Sequence, residues 1–278
     1  LNDMAAELFH AKYNDFRSLT GMNTVALILM TLIDKGTKIL ITDPQAGGHG
    51  SLPKLCDNLG IQYAPIPYDY MRMQIDYDGL NQILEQDSRV SFLFFCQSDI
   101  IQPPELQKIN LPPKVGIIYD ATQTLGLIAG GALPNPLDAC QNIIMIGGTH
   151  KTFPSVTCGY VATNNDNYIN RVKQNISPNF LRNVQVNNIT SVCLSMLEML
   201  KFGEAYAQKI IWTANALGDA LSGDGLRVKC TEDGAFSHTH QLFIEVPKEQ
   251  VDISYTHFRN YGITLNKRKT AYLTGFRL

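Results

Sequence analysis

The spacing of apolar residues switches repeatedly along this chain, and each switch marks an element. "MNTVALILMTLID" (22–34) is apolar at nearly every turn, which predicts a helix stopped at Lys35-Gly36. "KILITD" (38–43) is a short apolar run and predicts a buried strand ending at Asp43-Pro44. In "GGHGSLPKLCDNLG" (47–60) a glycine turn feeds a second helix, closed by Gly60. "IQYAPIPYD" (61–69) predicts a strand, and "DYDGLNQILEQ" (76–86) a helix with Asp78 as its cap. Four more apolar runs predict buried strands: "VSFLFFCQS" from Val90, "VGIIYDATQT" from Val115, "NIIMIGGTHK" from Asn142 and "CGYVATN" from Cys158.

Buried strands alternating with helices predict an α/β fold whose central sheet is mostly parallel, with helices on both faces. Ligands in such sheets bind beyond the carboxyl ends of the strands. Asp43 to His49, Ser98, Asp120 to Gln123 and Thr149 to Lys151 all fall at those ends, so several strands converge on one edge. After about residue 170 the texture changes. "ITSVCLSMLEMLKFGEAYAQKIIWTANALGDALSGDG" predicts long helix with a break near Phe202-Gly203. "LRVKC", "HQLFIEV" and "GITLNK" then predict strands around a helix near "QVDISYTHFRNYG". The expected organisation is a large domain over 1–205 and a small α+β domain over 206–278. The chain starts at Leu1 inside a helix-like pattern and stops at "TGFRL", so it reads as the middle of a longer polypeptide.

Composition narrows the function classes. The 278 residues carry a formal charge of -2, with no basic tract, which argues against a nucleic-acid or membrane-surface binder. No apolar run reaches membrane-span length, and no signal peptide is visible. The six cysteines lie far apart without a CxxC pair, as reduced core thiols of a cytoplasmic protein would; no metal-ligand spacing stands out.

The remaining question is why a buried strand runs into Gly147-Gly148-Thr149-His150-Lys151. A lysine just past a strand end is ordinarily a solvated surface residue. As a reactive amine it needs a carbonyl partner, and pyridoxal phosphate is the usual one. That coenzyme calls for a carboxylate at its ring nitrogen, a platform on its ring face, and N–H and hydroxyl groups around its phosphate. Asp120 ends "VGIIYD", His49 lies in "GGHG", and "LTGMNT" opens the first helix with Thr20, Gly21 and Met22.

"DATQTLGLIAGG" (120–131), then "GGTHKT" (147–152), resembles the serine hydroxymethyltransferase group of fold-type-I pyridoxal phosphate enzymes. "GGHG" and the late "GITLNK" and "TGFRL" are similar to that family's segments in the same order. The resemblance implies a fold-type-I transferase and assigns roles. Lys151 would carry the coenzyme, Asp120 would hold its ring nitrogen, and His49 would stack on the ring. Thr20, Gly21 and Met22 would face the phosphate, with Ser98 close to the coenzyme. Thr149 and His150 would touch the phosphate or the ring oxygen, and Arg277 would grip the substrate carboxylate.

The implied chemistry is at the Cα–Cβ bond of a β-hydroxy-α-amino acid, through a glycyl quinonoid. It would be hydroxymethyl transfer with tetrahydrofolate, or folate-independent aldol or transaldol exchange with an aldehyde. The alternatives are transamination or racemisation at Cα, and a binding partner that has lost catalysis. The resemblance also implies a homodimer. Three departures stand out. Gln123 replaces a histidine expected three residues after Asp120, and "FPSVTCG" (153–159) replaces an arginine- and glycine-rich stretch. "FLRNVQVNN" (180–188) lacks an expected glycine pair, leaving Arg182 or Asn183 to substitute.

Overall fold

The computed structural model describes residues 1–278. Nine strands belong to the first two thirds of the chain: β1 (Tyr13–Asp15), β2 (Lys38–Ile41), β3 (Gln62–Pro65), β4 (Tyr68–Asp69), β5 (Gln74–Ile75), β6 (Val90–Cys96), β7 (Gly116–Asp120), β8 (Ile143–Gly148) and β9 (Gly159–Thr163). Seven of them form one sheet in the order β1-β9-β8-β7-β6-β2-β3, while β4 and β5 pair as a separate ribbon. Strands β3, β2, β6, β7 and β8 run parallel, and β9 is antiparallel to both its neighbours. The parallel core explains the uninterrupted apolar runs, since both faces of these strands are covered.

Alternation within the strands shows how. Leu93, Phe95, Ile117, Tyr119, Ile143 and Met145 pack on one face, against α1 (Asn2–Phe9) and α4 (Tyr77–Gln86), with α5 (Leu125–Ala129) and α7 (Val186–Gly223). Phe92, Phe94, Ile118, Ile144 and Ile146 pack on the other, against α2 (Gly21–Leu32), α3 (Ser51–Leu59) and α6 (Asp166–Asn175). At about 1.5–3 kcal/mol for each large side chain buried, these two layers dominate the stability of the sheet. No helix is long and apolar enough to cross a membrane.

Strand β10 (Arg227–Val228), β11 (Phe243–Glu245), β12 (Asn266–Lys269) and β13 (Thr274–Arg277) form a second, antiparallel sheet in the order β10-β11-β13-β12, with α8 (Val251–Asn260) beside it. The first sheet is therefore the expected mostly parallel one; the second, with α8, lies in the region after residue 206. Helix α7 runs unbroken across residues 205 and 206.

Three local expectations are corrected. The cap of α4 is Asp76, whose carboxylate accepts from Gly79 N at 3.0 Å; Asp78 lies in the first turn. The strand expected across 61–69 stops at Pro65, and Tyr68 pairs instead with Ile75. The break expected at Phe202-Gly203 does not occur, because Gly203 serves packing. A Cβ on Gly130 at the end of α5 would meet Gly203 O at 2.2 Å, so the two backbones touch there.

Gly126 has a similar role next to the reactive turn. A Cβ there would lie 2.1 Å from the carbonyl oxygen of Thr152, the residue after Lys151. Gly126→Ala forces that backbone aside and is expected to cost about 1–3 kcal/mol. Thermal unfolding would show it as a melting point several degrees lower, and an unchanged melting point would refute the clash.

Candidate active site

The carboxyl ends of β2, β6, β7 and β8 open on one cleft of ≈ 250 Å³. Its lining includes Thr20, Gly21, Met22, His49, Ser98, Asp120, Gln123, His150 and Lys151. Nine of the expected residues are thus brought together by elements distant in sequence.

Asp120 leaves β7 and folds back in an Asx turn. Its Oδ1 accepts from the backbone N of Thr122 at 2.9 Å and from the Thr122 hydroxyl. Thr122 Oγ1 in turn accepts from Gly148 N at 2.9 Å, which fixes the carboxylate to the end of β8. Asp120 Oδ2 receives only the thiol of Cys96, at 3.3 Å. A weak donor there leaves that oxygen open to a stronger one. Burial, reinforced by Asp120, raises the Cys96 thiol well above its ordinary range, so it remains a protonated donor.

Lys151 stands in the turn that follows β8 and is exposed to the open cleft. Packing around its amine and the charge of Arg277 lower its pKa, against the opposing pull of Asp120. A lowered pKa makes more of the neutral, nucleophilic amine available. His49 is also lowered, first by burial, with Lys151 adding to it and Asp120 opposing. Its Nδ1 accepts from Ser51 N at 3.3 Å, so the neutral ring carries its proton on Nε2. The turn that presents it needs Gly47, at φ 85°, where a Cβ would lie 2.6 Å from Asp99 O.

Thr20 caps α2 through its hydroxyl, which accepts from Asn23 N at 3.2 Å. The first-turn amides of Gly21 and Met22 are left for a ligand, at the positive end of the helix dipole. Gly21 packs on the Asp120 turn and on β8, since an added Cβ would sit 3.2 Å from Thr122 Oγ1 and 3.3 Å from Gly148 N. His150 lies against this seam, and burial followed by Lys151 lowers its imidazole.

Two expected residues are placed differently. Thr149 is fully buried outside the cleft; its hydroxyl donates to Val156 O at 2.6 Å and shapes the turn carrying Lys151. Arg277 does not line the cavity but approaches from β13. Its Nη1 donates to Ser98 O at 2.7 Å and to Asp99 Oδ1 at 2.6 Å. Asp99, only 6% exposed, also pairs with Arg268 at 2.7 Å. Removing one partner from such a buried group costs roughly 3–5 kcal/mol, which ties the small sheet to the large one. Nε and Nη2 of Arg277 have no protein partner.

Four residues to which the sequence assigned no role complete the lining: Cys96, Gln97, Thr122 and Thr157. Only Thr122 had a local signal, a hydroxyl two residues after a strand-ending aspartate. Of the departing segments, Thr157 brings "FPSVTCG" to the cleft, while Arg182 and Asn183 are exposed and do not line it.

His240 lies near the same charges. Burial, then Arg277 and Lys151, push its imidazole down to about 4 from an ordinary 6.5. Its Nδ1 is sealed from solvent without a hydrogen-bond partner. Between those values the unfolded chain holds a proton that the folded chain does not, so stability falls as pH drops from 6.5 toward 4. His240→Leu is expected to flatten the pH dependence of the denaturation midpoint across that interval. A slope equal to the wild type's would remove His240 as its cause.

The residue set fits pyridoxal phosphate. An open carboxylate oxygen, an amine of lowered pKa, a neutral ring and a helix N-terminus face one cleft. The serine hydroxymethyltransferase family model matches residues 1–272. The chain belongs to that family. Serine hydroxymethyltransferase from Sulfolobus acidocaldarius is 32% identical over 250 residues, 87% of this chain and 57% of the relative. That from Picrophilus torridus is 31% identical over 272 residues, 95% of this chain and 62% of the relative. The chain thus spans less than two thirds of the length of these curated relatives. L-threonine transaldolase from Pseudomonas fluorescens, solved in its internal aldimine state, superposes with a TM-score of 0.90 at 24% identity. The match covers 99% of this chain and 64% of that one, and establishes the shared fold-type-I architecture for this family member.

Proposed function

We propose that this chain forms the catalytic core of a pyridoxal-phosphate-dependent enzyme that breaks or forms the Cα–Cβ bond of a β-hydroxy-α-amino acid. The observation that carries the reading is the meeting of Lys151, Asp120 and the N-terminus of α2 in one cleft. Bound there, the coenzyme supplies a sink for the electron pair left on Cα when a bond to that carbon breaks. Lys151 holds it through its amine, and Asp120 Oδ2 keeps its ring nitrogen protonated. The amides of Gly21 and Met22 receive the phosphate. His49 covers the ring face and keeps water from it.

Arg277 supports the choice of bond. With the coenzyme bound, a carboxylate fixed by Arg277 would limit how the substrate's Cα can turn and so which of its substituents could be activated. The fork of Nε and Nη2 suits a bidentate grip on that carboxylate. The acceptor is an aldehyde or its folate carrier, and the working unit is a homodimer. The changed sequence after Lys151, which brings Thr157 to the cleft, favours the folate-independent version.

The test incubates the full chain with pyridoxal phosphate, threonine and an added aldehyde, with and without tetrahydrofolate. A new β-hydroxy amino acid formed without folate supports aldol exchange. Product formed only with folate assigns hydroxymethyl transfer. A keto acid from the amino donor, with neither product, would overturn the proposal.

A further inference from the structure

Gln123 stands where the family resemblance leads one to expect histidine, and its surroundings determine which way its amide points. Gln241, just before β11, reaches into the junction between the two sheets. Its Oε1 accepts from the backbone N of Ile100 at 2.9 Å. Its Nε2 donates to the carbonyl of Ser98 at 3.0 Å and to Oε1 of Gln123 at 3.2 Å. A backbone N–H can only donate and a backbone carbonyl can only accept, so these two partners set the polarity of the Gln241 amide. The second hydrogen on Nε2 then requires an acceptor, and the nearer atom of Gln123 must be its oxygen. The nitrogen of Gln123 is left facing away from Gln241. It has no protein partner and is not sealed from solvent, and Gln123 lines the cleft with Asp120 and Lys151.

We infer that Gln241 locks Gln123 as a one-way hydrogen-bond donor to an acceptor oxygen of the molecule bound in the cleft. An imidazole at this place exchanges donor and acceptor roles and titrates near neutrality. The locked amide does neither, so the donor side of the contact does not change with pH. Gln241 acts through Gln123 and is a positioning residue. The same amide holds Ser98 O, which Arg277 also holds, so seating of the small sheet and orientation of Gln123 depend on one set of bonds. The inference rests on the proposed pyridoxal phosphate reading. The acceptor is an anionic oxygen, either the ring oxygen of the coenzyme or the carboxylate of the amino acid.

The full chain is loaded with pyridoxal phosphate, and borohydride trapping first establishes whether the coenzyme sits on Lys151. If the wild type does not load there, the functional reading fails and not the lock. In loaded protein two quantities are read: the midpoint of the coenzyme's colour change with pH, and the affinity for glycine from the spectral change on binding. Loss of a donor to an anionic oxygen raises the proton affinity of that oxygen. Gln123→Leu is expected to raise the midpoint by about one pH unit, tenfold in the proton equilibrium, if the acceptor is the ring oxygen. If it is the amino acid's carboxylate, the midpoint stays and glycine binds about tenfold more weakly, the loss of one charge-assisted hydrogen bond. Gln241→Leu is expected to move the same quantity in the same direction by a smaller amount.

Wild-type values for both quantities in loaded Gln123→Leu would overturn the donor role, and wild-type values in Gln241→Leu would overturn the lock. Should Gln123→Leu fail to fold, Gln123→His serves instead. It is expected to make the affected quantity depend on pH near the imidazole's titration, and a flat response would equally overturn the inference.

Discussion

Lys151→Ala is expected to abolish covalent attachment of pyridoxal phosphate and to lower the rate of Cα–Cβ cleavage by roughly 10²–10⁴-fold, the range associated with one positioned proton-transfer group. The amine is the only nucleophile in the cleft suited to the coenzyme's aldehyde, since the Cys96 thiol is held protonated and its hydrogen is directed at Asp120. Lysine is needed for its free base, so Lys151→Arg should fail as fully as alanine; a guanidinium keeps its proton under all working conditions. The surrounding turn is held independently of the amine, by Thr149 Oγ1 on Val156 O and by Thr152 Oγ1, which donates to Gln123 O at 2.8 Å. Both variants should therefore fold with a melting point close to that of the wild type. Borohydride reduction followed by peptide mass mapping checks the prediction. Coenzyme recovered on another residue of the wild type, or still attached in the alanine variant, would defeat it.

Much of this site could be read from the sequence because its parts lie at strand ends, where a change from apolar to polar residues is local. Asp120 after "GIIY" and Lys151 after "IIMIGGTH" are of that kind. The parallel sheet was legible for the same reason: β6, β7 and β8 are buried on both faces, so they read as unbroken apolar runs. What could not be read depends on partners far along the chain. Gly203 looks like a helix breaker until Gly130 is placed against it, 73 residues earlier. Thr149 looks as available as His150, but the return of the chain at Val156 and Cys158 draws its hydroxyl inward. The tie from Gln241 to Gln123 spans 118 positions and leaves no periodic signature in either segment. Asp76 and Asp78 are a different case: both are plausible caps, and only the backbone entering the helix selects the first.

Asp120→Asn is the second large effect, and it separates holding the coenzyme from activating it. In the wild type, Oδ1 is committed to the Thr122 amide and hydroxyl, while Oδ2 has only the Cys96 thiol. After substitution the Thr122 N–H still requires an acceptor, so the remaining oxygen stays there. The new amide nitrogen then faces both the thiol hydrogen and the ring nitrogen of the coenzyme, donor against donor. Loss of the anion from contact distance lowers the proton affinity of the ring nitrogen by about 1–3 pKa units. At 1.36 kcal/mol per unit this corresponds to a rate of Cα–Cβ cleavage lower by about 10- to 10³-fold. Attachment at Lys151 should persist, because the amine and the phosphate-facing amides of α2 are untouched. Trapping yield and rate are thus expected to part company in this variant, whereas they fall together in Lys151→Ala. A rate within twofold of the wild type, with coenzyme still trapped at Lys151, would mean that the ring nitrogen takes its proton from some group other than Asp120.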